Sequence, residues 1–405
     1  MSRVYGEAGG RGKGVKSDCW IGLEIRESGG VEIVLKSKVE VMYGRGIREQ
    51  LAAGLKALGL KHAKLEAEDA GAVPFVIDAR LETAARRAQK DLEAEILPPV
   101  KVSPPPSPRD RFRRSRLYLP GNTPKLFLNA GLHRADGYIL DLEDAVAPAE
   151  KDAARAIVRN ALRTVDFGPA ERMVRINQGQ RGLEDLDWVV PHPVQLILVP
   201  KVESADEVRA AEARIAEIAA ACGRSEPVWL MPIIESGRGA LKALEIAESC
   251  ETVVALAVGL EDYTADLGVQ RTEGGTESAW MRGQIVNACK AASIQAIDTV
   301  YSDVANEAGL RASVFEAKQL GFDGKGCIHP RQIRPIHEAF APQQAEVDKA
   351  CRIVRAFEKA EAQGLGVVSL GSKMIDAPVV KRAQHTVKMA LAVGGLAENW
   401  REVTE

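Results

Sequence analysis

Between residues 114 and 341 the chain repeats one pattern, a short run rich in Val, Ile and Leu followed by a longer stretch rich in Ala, Glu and Arg. The runs are RLYLPG, GYILDLED, MVRINQ, LILVPKVES, VWLMPIIES, VVALAVGLED, SIQAIDTVYSD and FDGKGCIHP, eight in all. Near-continuous apolar runs suit strands buried on both faces, and their alternation with helical stretches points to βα units and a parallel sheet. Eight units over this length predict an α/β fold of the TIM type, a (β/α)8 barrel.

The barrel is not the whole chain. LPPVKVSPPPSPRDRFRR, from Leu97 to Arg114, clusters prolines that favour extended conformations, so 98–113 is expected to be a linker. Ahead of it, 17–97 has strand character in SDCWIGLEIRE and VEIVLKS and helical spacing in EQLAAGLKALGL, a small α+β domain; residues 1–16 are expected to be a disordered N-terminus. From Pro342 to Glu405 the pattern is a C-terminal helical extension, broken by a Gly-containing loop at GLGVVSLGSKMIDAP that carries Asp376.

Composition narrows the function classes. With 54 Lys+Arg against 56 Asp+Glu, the net charge of -2 offers no broad basic field for nucleic acid. Cys19, Cys222, Cys250, Cys289, Cys327 and Cys351 are scattered with no C-x-x-C pair, so neither a zinc site nor a disulfide framework is signalled and reduced thiols are expected. MSRVYGEAGGRGKG lacks an apolar signal core, and no run of about 18 apolar residues occurs. A cytoplasmic protein with no membrane partner is the expectation.

In a parallel barrel the strand ends meet on one face, where active sites sit. Asp141 to Asp144, Arg175, Lys201 and Glu203, Glu235, Glu261 and Asp262, and Asp303 should therefore converge. Glu235 and Asp262 follow apolar strands at Gly-containing turns; they could hold Mg²⁺, which favours carboxylate oxygens and keeps sites for water and substrate, or could cap the next helix. Arg175 could bind a carboxylate or an enolate oxygen, or pair with Asp141, Glu143 or Asp144. Glu143 and Asp144 could ligate the metal or orient Arg175 and metal-bound water around it. His329 could be an acid or base or a structural hydrogen-bonding group. The turn Pro120-Gly121-Asn122, with Arg114, Arg116 and Lys125 nearby, could receive a phosphate-rich ligand such as coenzyme A or be an ordinary strand-to-helix turn. GGRGKG is read as no phosphate loop, with no strand before it and no helix after.

RSRLYLPGN, ILDLEDAV, VRIN, VPKVES, PIIES, GLEDYTADLG, IQAIDTVYSD, GFDGKGCIHPRQI and GSKMIDAP, in that order, resemble the citrate lyase beta subunit and citramalyl-CoA lyase branch of the HpcH/HpaI aldolase superfamily over about 114–387. The resemblance implies Mg²⁺ on Glu235 and Asp262, an active-site arginine at Arg175, and acidic positions beside the metal at Glu143 and Asp144. It also implies a loop donated to a neighbouring subunit, making Asp376 the catalytic acid/base in trans in a homotrimer or hexamer. The segment before the linker is similar to the citrate lyase gamma subunit, an acyl carrier protein. In that family a serine two places before the first-motif Asp bears phosphoribosyl-dephospho-CoA; here the position is Lys16, so attachment could shift to Ser17 beside it, or the module could have lost the carrier role and kept a structural one.

The implied reaction is Mg²⁺-dependent retro-Claisen cleavage of a citryl thioester, on coenzyme A or on a carrier, to oxaloacetate and an acetyl thioester. Citramalyl-CoA or malyl-CoA cleavage is the alternative within this chemistry. An acyl-carrier or assembly subunit of a larger lyase complex is the alternative from another class, and a CoA/ACP transferase subunit that loads the acyl donor is a candidate partner.

Overall fold

Residues 4–98 fold around a four-stranded sheet in the computed structural model, which describes residues 4–98, 105–362, 368–370 and 373–402. The strands are β1 (Val4–Ala8), β2 (Cys19–Ile25), β3 (Val31–Ser37) and β4 (Ala63–Asp69), in the spatial order β1-β2-β4-β3. Along β4, Ala63, Leu65, Ala67 and Asp69 are buried and the residues between them are less so, the period of two of a strand with one covered face. The cover is α1 (Glu40–Ala57) and α2 (Pro74–Ala88), whose Leu51, Leu55, Ile77 and Leu81 share a core with Ile21, Leu23 and Leu65.

The expectation of a disordered 1–16 does not hold. Val4–Ala8 pairs antiparallel with β2 along its whole length. It lies close against α2 because Gly6 has no side chain: a Cβ there would sit 2.2 Å from the Ala84 carbonyl oxygen. A strand therefore does precede GGRGKG, although a strand and not a helix follows it.

Each of the eight apolar runs supplies one barrel strand. β5 (Ser115–Pro120), β6 (Gly137–Asp141), β7 (Glu171–Arg175), β8 (Leu196–Val199), β9 (Trp229–Ile234), β10 (Ala255–Val258), β11 (Gln295–Asp298) and β12 (Gly324–Cys327) run parallel and close where β12 pairs with β5. Ile139, Met173, Leu198, Met231, Ile233 and Ile297 pack into one core. The chain returns through α3 (Lys151–Thr164), α4 (Gly179–Val189), α5 (Ala205–Cys222), the short α6 (Gly237–Leu241) and α7 (Ala243–Ala247), α8 (Leu260–Asp266), α9 (Ala279–Ala291) and α10 (Glu307–Leu320). No helix among the described residues is long and apolar enough to cross a membrane.

Residues 105–113, expected to be part of a free linker, instead pack against the strand starts. The Pro105, Ser107 and Arg111 carbonyls accept hydrogen bonds from Gln195, Trp229 and Gln295 at 2.7–2.8 Å. Arg113 is fully buried and forks onto Glu171 at 2.7 and 2.9 Å. Proline removes a donor, not an acceptor, so a proline-rich segment can still satisfy side chains that reach its carbonyls. Residues 99–104 of the same stretch lie outside the described residues.

The N-terminal module is fixed to the barrel through α2 and α3. Glu82 and Arg159, both fully buried, form a fork of 2.9 and 2.8 Å, and the Ile96 amide donates to the same carboxylate. Arg87 adds a fork onto Asp152 at 2.8 and 2.7 Å. Removing one member of a buried pair leaves an uncompensated charge, so Glu82→Ala should lower unfolding stability by about 3–5 kcal/mol in urea titrations. Burial alone would raise the Glu82 pKa, but Arg159 outweighs it and the net shift is downward. The contribution of the pair is therefore present above the ordinary glutamate range and is lost as pH falls through the lowered value.

A second compact unit holds Glu307–Phe315 and Arg334 onward. It contains α11 (Ile333–Phe340) from Arg334, α12 (Gln344–Glu361), the hairpin of β13 (Val368–Leu370) and β14 (Lys373–Ile375), and α13 (Ala377–Ala392). Val347, Val354, Val380 and Val387 form its core with Trp400.

Candidate active site

The barrel register brings Pro120, Asp141 and Arg175 level across β5, β6 and β7. They line one pocket of about 450 Å³ together with Asp144, Glu235 and Asp262. Strand-terminal groups far apart in sequence thus meet at the C-terminal face, as a parallel barrel requires.

Arg175 is clamped from below. Its Nε and Nη2 donate to the Asp141 carboxylate at 2.7 and 2.6 Å, and Nη1 lies 2.9 Å from Glu143. The guanidinium also sits over the Tyr118 ring at 5.2 Å. Of five N–H donors these contacts engage three, so the fork is held rigid with donors in hand. The pairing with Asp141 and Glu143 is thus present and leaves the arginine able to bind a further anion.

Glu235 directly follows β9 and is 4% exposed. Its Oε2 is buried with no hydrogen-bond partner. Burial, and after it the charge of Asp262, pushes its pKa up to about 8. Gly259, at the start of α8, makes room for it, since a Cβ there would come within 2.6 Å of the Glu235 Cγ. Asp262 stands in the first turn of α8 and is partly exposed, with the Lys201 ammonium 3.3 Å away.

Lys201 draws the acids together. Its Nζ is 3.3 Å from Glu143 and 3.4 Å from Asp144 as well, and these charges raise its pKa despite burial. Its backbone is left-handed, at φ 51°, an uncommon conformation for a side-chain-bearing residue and one that clusters at functional sites. The sequence pattern marked this lysine as a strand-end residue but gave no sign of its role as counter-ion to three carboxylates.

A divalent cation fits this donor set. An orphaned buried carboxylate oxygen beside a second carboxylate is what a cation would satisfy. Among the described residues no three His, Cys, Asp or Glu side chains form a ready-made cage. Two carboxylates completed by water and substrate match the habit of Mg²⁺.

The remaining expected residues have the following local settings. Asp303 lies beyond the end of β11; the strand stops at Asp298, which is buried and lines the pocket. His329 accepts a hydrogen bond from the Arg331 amide and caps a short 3₁₀ turn. In the turn after β5 the Gly121 and Thr123 amides donate to the Asp141 and Pro120 carbonyls. Arg114 pairs with Asp136, Arg116 is buried inside the barrel, and Lys125 is exposed on a 3₁₀ turn. Asp376 accepts from the Val379 amide at 3.2 Å as the N-cap of α13. Ser17 occupies a left-handed turn, its amide donating to Ala70, and the next residue, Asp18, forks onto Arg80.

Comparison with known proteins adds the following. Residues 114–330 match the family described as HpcH/HpaI aldolase/citrate lyase, and 11–88 match that described as malonate decarboxylase delta subunit (MdcD), an ACP family. The citrate lyase subunit beta of Escherichia coli (strain K12) is 43% identical over 286 residues, 70% of this chain and 94% of that protein. An L-malyl-CoA/beta-methylmalyl-CoA lyase of Cereibacter sphaeroides is 33% identical over 312 residues, 72% of this chain and 98% of that protein. The crystal structure of CitE from Mycobacterium tuberculosis in complex with magnesium, acetoacetate and coenzyme A superposes with a TM-score of 0.56 at 31% identity, covering 70% of this chain and 99% of that one.

Proposed function

This chain belongs to the HpcH/HpaI aldolase/citrate lyase family, and from that premise we propose that its barrel is a Mg²⁺-dependent carbon–carbon lyase that cleaves a citryl thioester to oxaloacetate and an acetyl thioester. The observation that carries the reading is the unpartnered Glu235 carboxylate oxygen in a pocket at the barrel mouth that Asp262 and Arg175 also line. Magnesium bound in M. tuberculosis CitE supports the choice of ion.

Glu235 and Asp262 would hold the ion, which supplies Lewis acidity toward the hydroxyl oxygen of the substrate. Cleavage turns that hydroxyl into a ketone as its proton is lost to solvent water, and the pair of the broken carbon–carbon bond passes to the α-carbon of the thioester. Arg175 faces the developing enolate oxygen with its unengaged N–H groups, held in place by Asp141 and Glu143 so that little reorganisation is needed. Asp376 of another subunit then protonates the enolate carbon, which makes the working enzyme an oligomer.

The test is direct measurement of the keto acid released from citryl-CoA, citramalyl-CoA and malyl-CoA with and without Mg²⁺. Oxaloacetate release should be fastest and should stop on chelation. Faster release of pyruvate or glyoxylate would replace the citryl assignment with the second reading, to which the malyl-CoA lyase of C. sphaeroides lends its 33% identity.

A further inference from the structure

Arg116, the second residue of β5, is 1% exposed and has no counter-ion. Its Nη1 is 3.0 Å from the Met231 sulfur, and its buried Nε has no hydrogen-bond partner. Asp298, which lines the same pocket and attracts it, is already held by Lys325 at 2.7 Å and by Arg282 at 3.2 Å. The other carboxylate of the group, Glu316, is exposed and engaged by Arg282 at 2.6 Å. Of these three cations, Arg282 and Lys325 are paired with the two carboxylates, and Arg116 is the one left without an ion-pair partner. A buried guanidinium without an anion is strongly unfavourable, and a ligand that brings the anion relieves the imbalance.

The position says which anion. Side chains two apart on a strand share a face, so Arg116, Tyr118 and Pro120 follow one another along the pocket wall, and all three line it. Pro120 is level with Arg175, placing Arg116 four residues deeper. Mg²⁺ and Arg175 at the mouth suffice for the reacting carbons and the carboxylate beside the ketone. A second carboxylate, carried on the far side of the keto group, would extend toward the floor.

We propose that Arg116 binds this distal carboxylate and so selects a dicarboxylic keto-acid half over a monocarboxylic one. The proposal rests on the citryl-thioester reading and sharpens it. Citryl thioesters carry a carboxymethyl group where citramalyl thioesters carry a methyl and malyl thioesters a hydrogen. A site that buries a charge for one substrate rejects the analogue that leaves the charge unpaired.

Arg116→Met fills the space beside Met231 without charge. Its kcat/KM for citryl-CoA should fall by about 10²–10³-fold, as for truncating one member of a buried charge pair, while that for citramalyl-CoA should hold or rise. Arg116→Lys should keep part of the dicarboxylate preference. The melting temperature of Arg116→Met should not drop, because an unpaired buried charge has been removed. An equal fall for both thioesters, or no fall for citryl-CoA, would overturn the proposal. If the wild-type enzyme cleaves none of these thioesters, the lyase reading fails separately, and calorimetric binding of oxaloacetate and pyruvate with Mg²⁺ decides on Arg116. Tighter oxaloacetate binding in the wild type that disappears in Arg116→Met upholds the proposal, and equal binding of the two keto acids by the wild type rejects it.

Discussion

Asp376→Asn is expected to reduce cleavage by about 10²–10⁴-fold while Mg²⁺ binding, followed by calorimetry, stays at the wild-type level. The choice of asparagine matters because Asp376 already has a structural task as the N-cap of α13. Asparagine caps about as well as aspartate, whereas alanine gives up about 1 kcal/mol of helix stability. A residue that serves only as a cap would therefore be active as Asn and impaired as Ala. A residue that hands a proton to carbon would be inactive as either. Full activity of Asp376→Asn would remove it from the mechanism. Action in trans has its own readout: mixing Asp376→Asn with Arg175→Ala should restore part of the activity when subunits exchange, since some sites then combine an intact arginine with an intact aspartate. No recovery in a mixture shown by mass to have exchanged would place both groups in the same subunit.

The eight strands were legible because strands covered on both faces need apolar residues at nearly every position, and each run shows this without an alignment. Convergence of Asp141, Arg175, Glu235 and Asp262 followed from the same logic, since parallel strands must end at one face. Arg116 was not legible. A cation in RSRLYLPG reads as a surface or phosphate-binding charge, and only the closing of β12 on β5 puts it inside. Asp298 was missed in favour of Asp303 because IDTVYSD carries apolar residues past the point where pairing with β12 stops. β1 escaped notice because five residues with two small inward positions give almost no periodic signal; its pairing with β2 is fixed by contacts to α2. The 105–113 segment misled for a related reason. Its composition is that of a solvated linker, while its role depends on carbonyls, which every residue has.

Glu235→Gln is expected to abolish Mg²⁺ binding at millimolar concentrations and to lower turnover by about 10³-fold, the equivalent of several kcal/mol of lost Lewis-acid stabilisation. Gln matches Glu in size, so the packing against Gly259 survives, and the loss can be ascribed to charge. The metal-free variant should melt no lower than the metal-free wild type, because the substitution removes a buried carboxylate with an unpartnered oxygen. Asp262→Asn should weaken the metal less. Asp262 is partly exposed and shares its charge with Lys201, so water can stand in for some of what it contributes. This ordering separates a metal site from the helix-capping alternative. Capping would make Asp262, in the first turn of α8, the more sensitive position for stability, and neither substitution would change the affinity for magnesium. Undiminished Mg²⁺ affinity in Glu235→Gln would therefore refute the metal assignment outright, whatever happened to the rate.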